Sequence, residues 1–213
     1  IQRRLIVAGG VGKETEIHAS RGDNEYVFTE DEDESSTSVL KASYFDVANL
    51  IGTADEITGL GAFESNRLVI FTADKAIIYK IDPDYTKWLV DDNANINIGC
   101  VSHNTIQNAG TDVLFCSRSG VHSIKRSEDN GILVYSYSLS DKVKTLYREY
   151  LSSVTNPESI SAVFNQDTSQ YHIYFPLGAS TTCRRLTLTM NAELEESVPK
   201  YNTGSFLDAR CAA

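Results

Sequence analysis

Short runs rich in β-branched and aromatic residues recur along the chain, each closed by turn-forming residues, and that rhythm predicts strands. The clearest are RLIVAGG from Arg4, TEIHAS from Thr15, RLVIFTAD from Arg67, KAIIYKID from Lys75, DVLFCSRSG from Asp112 and YHIYFPLG from Tyr171. Two connections are short enough to be hairpin loops. TADK lies between Phe71 and the strand carrying Tyr79, and SRSG from Ser117 lies between VLFC and VHSIK.

One stretch follows a different period. From about Ser140 to Ser153, residues Val143, Leu146, Tyr147, Tyr150 and Leu151 fall on one helical face, with Ser140 placed to cap the first amides. Nothing helical separates Arg67 from Ile124. Parallel strands need crossover connections, usually helices, so the sheets are expected to be antiparallel.

The strands also suggest a repeat. RLIV at Arg4 to Val7 matches RLVI at Arg67 to Ile70, and the hairpin around Val69 to Tyr79 has a counterpart running through Val113, Phe115 and the Gly120 turn. The runs at Leu5, Leu68, Val113 and Tyr171 stand 63, 45 and 58 residues apart. That is uneven, but near the roughly 40 to 50 residues of a four-stranded propeller blade. The expectation is an all-β chain, an antiparallel β-propeller-like module of about four blades with one short helix, forming a single domain over 1–213. A β-sandwich satisfies the same strand density, and periodicity does not separate the two. Strand patterns begin at Arg4 and resume from Ser205 to Ala213, so both ends read as cut from a longer or processed chain.

Composition narrows the partners. A hydrophobic fraction of 41% suits a folded chain, and 29 acidic against 19 basic residues give a formal charge of -10. Tight binding to a phosphate backbone needs clustered Lys and Arg, so nucleic acid is disfavoured as a ligand; an acidic wall beside passing DNA would instead keep it from adhering. No segment reaches the roughly 18 apolar residues of a membrane helix, so no membrane insertion is expected. Cys100, Cys116, Cys183 and Cys211 are separated by 16, 67 and 28 residues, which matches no zinc spacing, and they read as reduced, half-buried packing thiols.

Candidate chemistry is thin. His18, His103, His122 and His172 are isolated from one another, and three of them lie inside strand patterns, where a hydrogen-bonded structural role is expected. GGVG from Gly9 lacks the GK[ST] ending of a phosphate loop and reads as a β-turn. Glu30, Asp31, Glu32, Asp33 and Glu34 sit in the loop TEDEDESSTS, where adjacent side chains diverge, so no metal site is assigned. Asp23, Asp46, Asp55, Glu56 and Asp112 are the carboxylates that a propeller glycosidase would draw on, but no pair of them is placed at glycosidase separation by the sequence. Trp88, Tyr135, Tyr137, Tyr171 and Tyr174 could stack on sugars, although cross-strand packing in a sheet is the favoured explanation of the tyrosines' alternation. No catalytic, cofactor or metal residue is assigned, no cofactor is expected, and the chain is expected not to be an enzyme.

Several segments carry a resemblance. RRLIVAGG, EIHASRGDNEYVF, DEITGLGAFESNRLVIFTADKAIIYKI, GTDVLFCSRSGVHSI and ISAVFNQDTSQYHIYFPLG together resemble the propeller-type proteins of tailed-phage necks and tails, including the nozzle, or tail tubular protein B, of short-tailed phages. The matching positions include Ser20, Gly22, Asp23, Asp55, Ile57, Thr58, Gly59, Leu60, Phe63, Arg67, Leu68, Phe71, Ile78, Tyr79, Leu114, Phe115, Ser117, Gly120 and Val121. Gly59 is expected to bend its strand, and Arg67 to pair with Asp55 or Glu56. The resemblance implies a virion structural component that helps build the tail conduit for DNA ejection. It also implies a homo-oligomeric ring, other tail or neck proteins as partners, and a place in the virion. The alternative is a carbohydrate- or receptor-binding propeller module.

Overall fold

The computed structural model describes residues 4–29, 41–52, 55–91, 96–110, 112–124, 135–178, 183–190 and 200–206. The acidic run from Glu30 to Glu34 and Cys211 lie outside them. The fold is all-β, and the described residues form four antiparallel sheets, one helix of more than a single turn, and a propeller-like succession of blades. It divides into two compact units, Ile1–Gly99 and Cys100–Ala213, each holding two of the sheets.

In the first unit, β1 (Ile6–Gly10), β2 (Lys13–Ala19) and β3 (Ser43–Asp46) form a three-stranded meander. A four-residue helix α1 (Ala48–Ile51) then leads to β4 (Ile57–Phe63), β5 (Arg67–Thr72), β6 (Ala76–Lys80) and β7 (Leu89–Val90), the second sheet. Strand alternation sends Ile17, Leu68, Ile70, Ile77 and Tyr79 into one core with Val47, Ile51 and Ile81. Burying that many branched side chains, at about 1.5 to 3 kcal/mol each, is the main force holding the two sheets together.

In the second unit, β8 (Gln107–Ala109), β9 (Asp112–Cys116), β10 (Val121–Ile124) and β11 (Tyr135–Ser138) make the third sheet. Helix α2 (Lys144–Ser152) follows, and then β12 (Ser161–Asn165), β13 (Gln170–Pro176), β14 (Cys183–Thr189) and β15 (Lys200–Phe206) make the fourth. Their core gathers Leu114, Cys116 and Val121 with Tyr171, Ile173, Phe175, Leu186 and Leu188, and α2 contributes Tyr147 at its centre. The helical face read from the period is the face that packs: Val143, Tyr150 and Leu151 flank Tyr147, and Leu146 is half-buried.

Every sheet is a meander of consecutive strands with none exchanged between sheets, the connectivity of blades and not of a Greek-key sandwich. Within each unit the first strands of successive sheets lie side by side, β1 against β4 and β8 against β12, as the inner strands of neighbouring blades do. Those first strands begin at Ile6, Ile57, Gln107 and Ser161, which are 51, 50 and 54 residues apart. The uneven repeat arises because Leu5 precedes a first strand whereas Leu68, Val113 and Tyr171 lie in second strands.

Three local expectations are corrected. Ser140 does not cap the helix: a 3-10 turn at Asp141–Val143 intervenes, and the buried Ser140 hydroxyl accepts from the Val121 amide at 2.9 Å. Arg67 pairs with Glu64 across the β4–β5 turn and with Asp91 at 3.7 Å, and not with Asp55 or Glu56, because the strand register places its side chain at the turn end of the hairpin. The cysteines Cys100, Cys116 and Cys183 are fully buried, not half-buried, and are thiols not joined in disulfides. The expected bend at Gly59 is present as a bulge, where Ile57 pairs with Thr72 but Gly59 with Phe71.

Candidate functional site

Most buried polar groups are fasteners. Arg4 is almost fully buried, and its guanidinium donates to the carbonyls of Ser20 and Lys41, each at 2.6 Å, and of Pro83 at 3.3 Å. One planar cation thus ties three stretches of the first unit, although burial lowers its pKa from the ordinary arginine value. The second unit uses hydroxyls in the same way. Ser102 Oγ bridges the carbonyls of Glu158 and Ile160, both at 2.8 Å, the Tyr171 hydroxyl donates to Thr105 O at 2.6 Å, and the Tyr147 hydroxyl donates to Ser117 O at 2.6 Å.

The thiols sit in that network. Cys100 Sγ lies 3.1 Å from Ser102 O and 3.4 Å from Thr105 Oγ1, and Cys116 Sγ lies 3.6 Å from the Tyr171 hydroxyl. Burial pushes the Cys116 thiol up to about 12 and raises that of Cys100, so neither forms a thiolate near neutral pH. They behave as small apolar groups.

The histidines are held apart, each with its own contact. His18 Nε2 meets Glu16 at 2.9 Å and its ring stacks on Tyr44 at 5.6 Å. His172 Nδ1 meets Thr187 Oγ1 at 2.9 Å across β13 and β14. His122 is the arrangement that the sequence reading missed: its Nε2 lies 3.0 Å from Ser119 Oγ, which in turn lies 2.9 Å from Ser117 Oγ. A serine beside an imidazole is the core of a nucleophile-and-base pair, and the signal for it was the i,i+3 spacing across the β9–β10 turn. Yet burial lowers the His122 pKa to about 4, with Asp141 opposing the shift only in part. An imidazole that resists protonation this strongly is a poor acceptor for the serine proton at neutral pH. The pair is better understood as part of the turn, in which Ser117 Oγ also accepts from the amides of Ser119 and Gly120.

The sequence-flagged carboxylates are dispersed. Asp23 pairs with Arg21 at 2.9 Å, Asp46 accepts from the Ala48 amide at 2.8 Å, and Asp55 accepts from the Glu56 amide at 3.0 Å. Among the described residues no group of three His, Cys, Asp or Glu side chains is placed to hold a metal. Of the aromatic candidates, Tyr171 is fully buried and Trp88 donates its indole N–H to Asp82 O at 2.6 Å while packing edge-on against Phe45. Neither offers a free ring to a sugar.

What the described surface does offer is the outer face of the first sheet. Val7, His18 and Tyr44 stand opposite one another as a single rung across β1, β2 and β3, and Val7 is 43% and Tyr44 61% exposed. Leu5, just before β1, is 46% exposed. The opposite face of the same sheet carries Ile17 and the core. No described helix is long and apolar enough to cross a membrane.

No family model matches the chain, and no curated protein matches it. Among solved structures, one match is a GH43 glycoside hydrolase, described as engineered at its active site to display both endo-xylanase and exo-arabinofuranosidase activity. The match has 10% identity and a TM-score of 0.39, and covers 89% of this chain but 39% of that one. Because that neighbour is a glycoside hydrolase, the expectation that this chain is no enzyme is corrected and not maintained. At this TM-score the likeness assigns the chain no activity, substrate or site residue.

Proposed function

We propose that the chain is a structural component of a tailed-phage virion, a nozzle, tubular or adaptor protein of the tail or neck that helps build the conduit for DNA ejection. The observation that supports this reading most is the outer face of the first sheet, where Leu5, Val7 and Tyr44 lie exposed in a chain whose buried polar groups are largely engaged in fastening its own loops. Uncovered apolar side chains grouped on one sheet face mark an assembly surface. A formal charge of -10 suits a wall that DNA passes without adhering. The partners on this reading are further copies of the chain and neighbouring tail proteins.

Light scattering on the purified chain, with negative-stain images of the peak, tests it. A symmetric assembly with a central opening is the expected result; a monomer at all concentrations would overturn the self-assembling form of the reading. The second reading, a carbohydrate- or receptor-binding module, has Tyr44 in its favour as an exposed, stacked ring. Loss of glycan-array binding on Tyr44→Ala with assembly intact would decide for it.

A further inference from the structure

The first sheet is one strand short of the others. In the second, third and fourth sheets the third strand is covered by a fourth, β7 on β6, β11 on β10 and β15 on β14, whereas the first sheet ends at β3 and the chain passes from it into α1. Among the described residues no strand pairs with β3 on the side away from β2. The ladder shows which groups that side presents. Val47 donates its amide to Thr15 O at 3.1 Å, and bonding alternates along an antiparallel pair, so Phe45 and Ser43 bond with Ile17 and Ala19. Tyr44 and Asp46 therefore point their N–H and C=O groups outward. Both residues are exposed, and among the described residues those backbone groups have no partner within the chain.

We infer that β3 pairs antiparallel with β3 of a second copy of this chain about a two-fold axis, joining two first sheets edge to edge. An unpaired strand edge is a template for another strand, and a two-fold contact brings the same edge from both copies. With the axis at Phe45, Tyr44 of each copy exchanges both backbone bonds with Asp46 of the other, which satisfies the outward groups of the strand. The same register favours a second copy as the occupant. It sets each Asp46 beside a tyrosine of the other copy, whereas an axis at Asp46 would oppose like charges. It also brings the two Phe45 rings together at a non-bonded pair, where facing side chains approach most closely, and Phe45 is only partly buried within its own chain. The contact makes a closed pair and not a ring, so it goes beyond the structural reading above and does not rest on it.

Sedimentation velocity over a range of concentrations is expected to show the wild-type chain passing from monomer to dimer. Tyr44→Pro removes an outward amide and spares the ladder to β2, a change that edge strands accept, and is expected to raise the dimer dissociation constant roughly tenfold or more. Tyr44→Ala keeps that amide and is expected to raise the constant less. Tyr44→Cys and Asp46→Cys, each carrying Cys211→Ser, are then mixed under mild oxidation. In the inferred register these two positions face each other with Cα atoms about 5.5 Å apart, within disulfide reach, while identical positions lie on a diagonal beyond it. A disulfide-linked dimer in the mixture and in neither variant alone is the expected result, and it reads the contact even where Tyr44→Pro fails to fold. A wild type that stays monomeric overturns the inference. So does one that dimerises but yields no mixed disulfide, or whose dimer is weakened equally by Tyr44→Ala and a folded Tyr44→Pro.

Discussion

Gly99 shows how narrowly a single residue is specified. A Cβ there would lie 2.2 Å from Thr72 O and 2.3 Å from the Ala73 carbonyl carbon, both backbone atoms of the β5–β6 turn. Backbone cannot swing aside as a long side chain can. Gly99→Ala is expected to destabilise the chain by about 1 to 3 kcal/mol, read as a lower urea midpoint with an unchanged slope. Tyr147 is specified by its hydroxyl instead. Tyr147→Phe keeps the ring that meets Phe175 edge-on at 5.7 Å but leaves the buried Ser117 carbonyl without that donor. The expected cost is about 1 to 2 kcal/mol by the same measurement, and a change within error would assign the stability of this site to packing alone.

At the scale of elements, the β9–β10 hairpin and α2 are joined by Ser140, whose hydroxyl accepts from Val121 and whose Oγ would lie 2.3 Å from a Cβ at Gly120. Ser140→Ala removes the acceptor from a buried amide and is expected to cost about 1 to 2 kcal/mol, with hydrogen exchange at Val121 quickened more than exchange within the helix. A helix cap would give the reverse order. The residue was legible as important, but its role was not, because capping is a local pattern whereas the Val121 amide is 19 residues away in sequence. The same division runs through the fold. The strands from Arg67, Lys75, Asp112 and Tyr171, their hairpin loops and the apolar face of α2 follow from periods of two and 3.6 residues and were readable, whereas β14, with its polar run CRRLTLT, was not. The three-dimensional partners of Arg67 and the burial of Tyr171 depend on register and on which face meets the core, which alternation alone leaves undetermined. Tyr171 and Tyr174, three residues apart on one strand, necessarily face opposite sides, and only the first is core.

For the molecule as a whole, the titrating groups divide between the two units in a way that orders acid unfolding. In the second unit His122 is held at about 4 by burial, and the His172 pKa is lowered from 6.5 by burial and by the Arg185 charge. A histidine whose folded pKa lies below its unfolded one leaves the unfolded chain binding more protons, so stability is lost as pH falls from about 6.5 toward 4. For His122 the full effect is at most about 3 kcal/mol. In the first unit the lowered acidic groups are Glu16, by its bond to Lys13, Asp23, by its bond to Arg21, and Asp46, by its bonds to Thr15 and the Ala48 amide. Their contribution is intact above the ordinary carboxylate range and is lost only below it. Hydrogen exchange between pH 7 and 4.5 is therefore expected to rise first in 100–213, while 1–99 stays protected until the pH falls below about 4. His122→Phe removes one of the two histidines and should flatten the early loss in the second unit, with Lys144 and Asp141, the charges acting on His122, left in place. If instead the first unit opens earlier, or His122→Phe leaves the pH dependence unchanged, the buried imidazole is not what limits stability in mild acid.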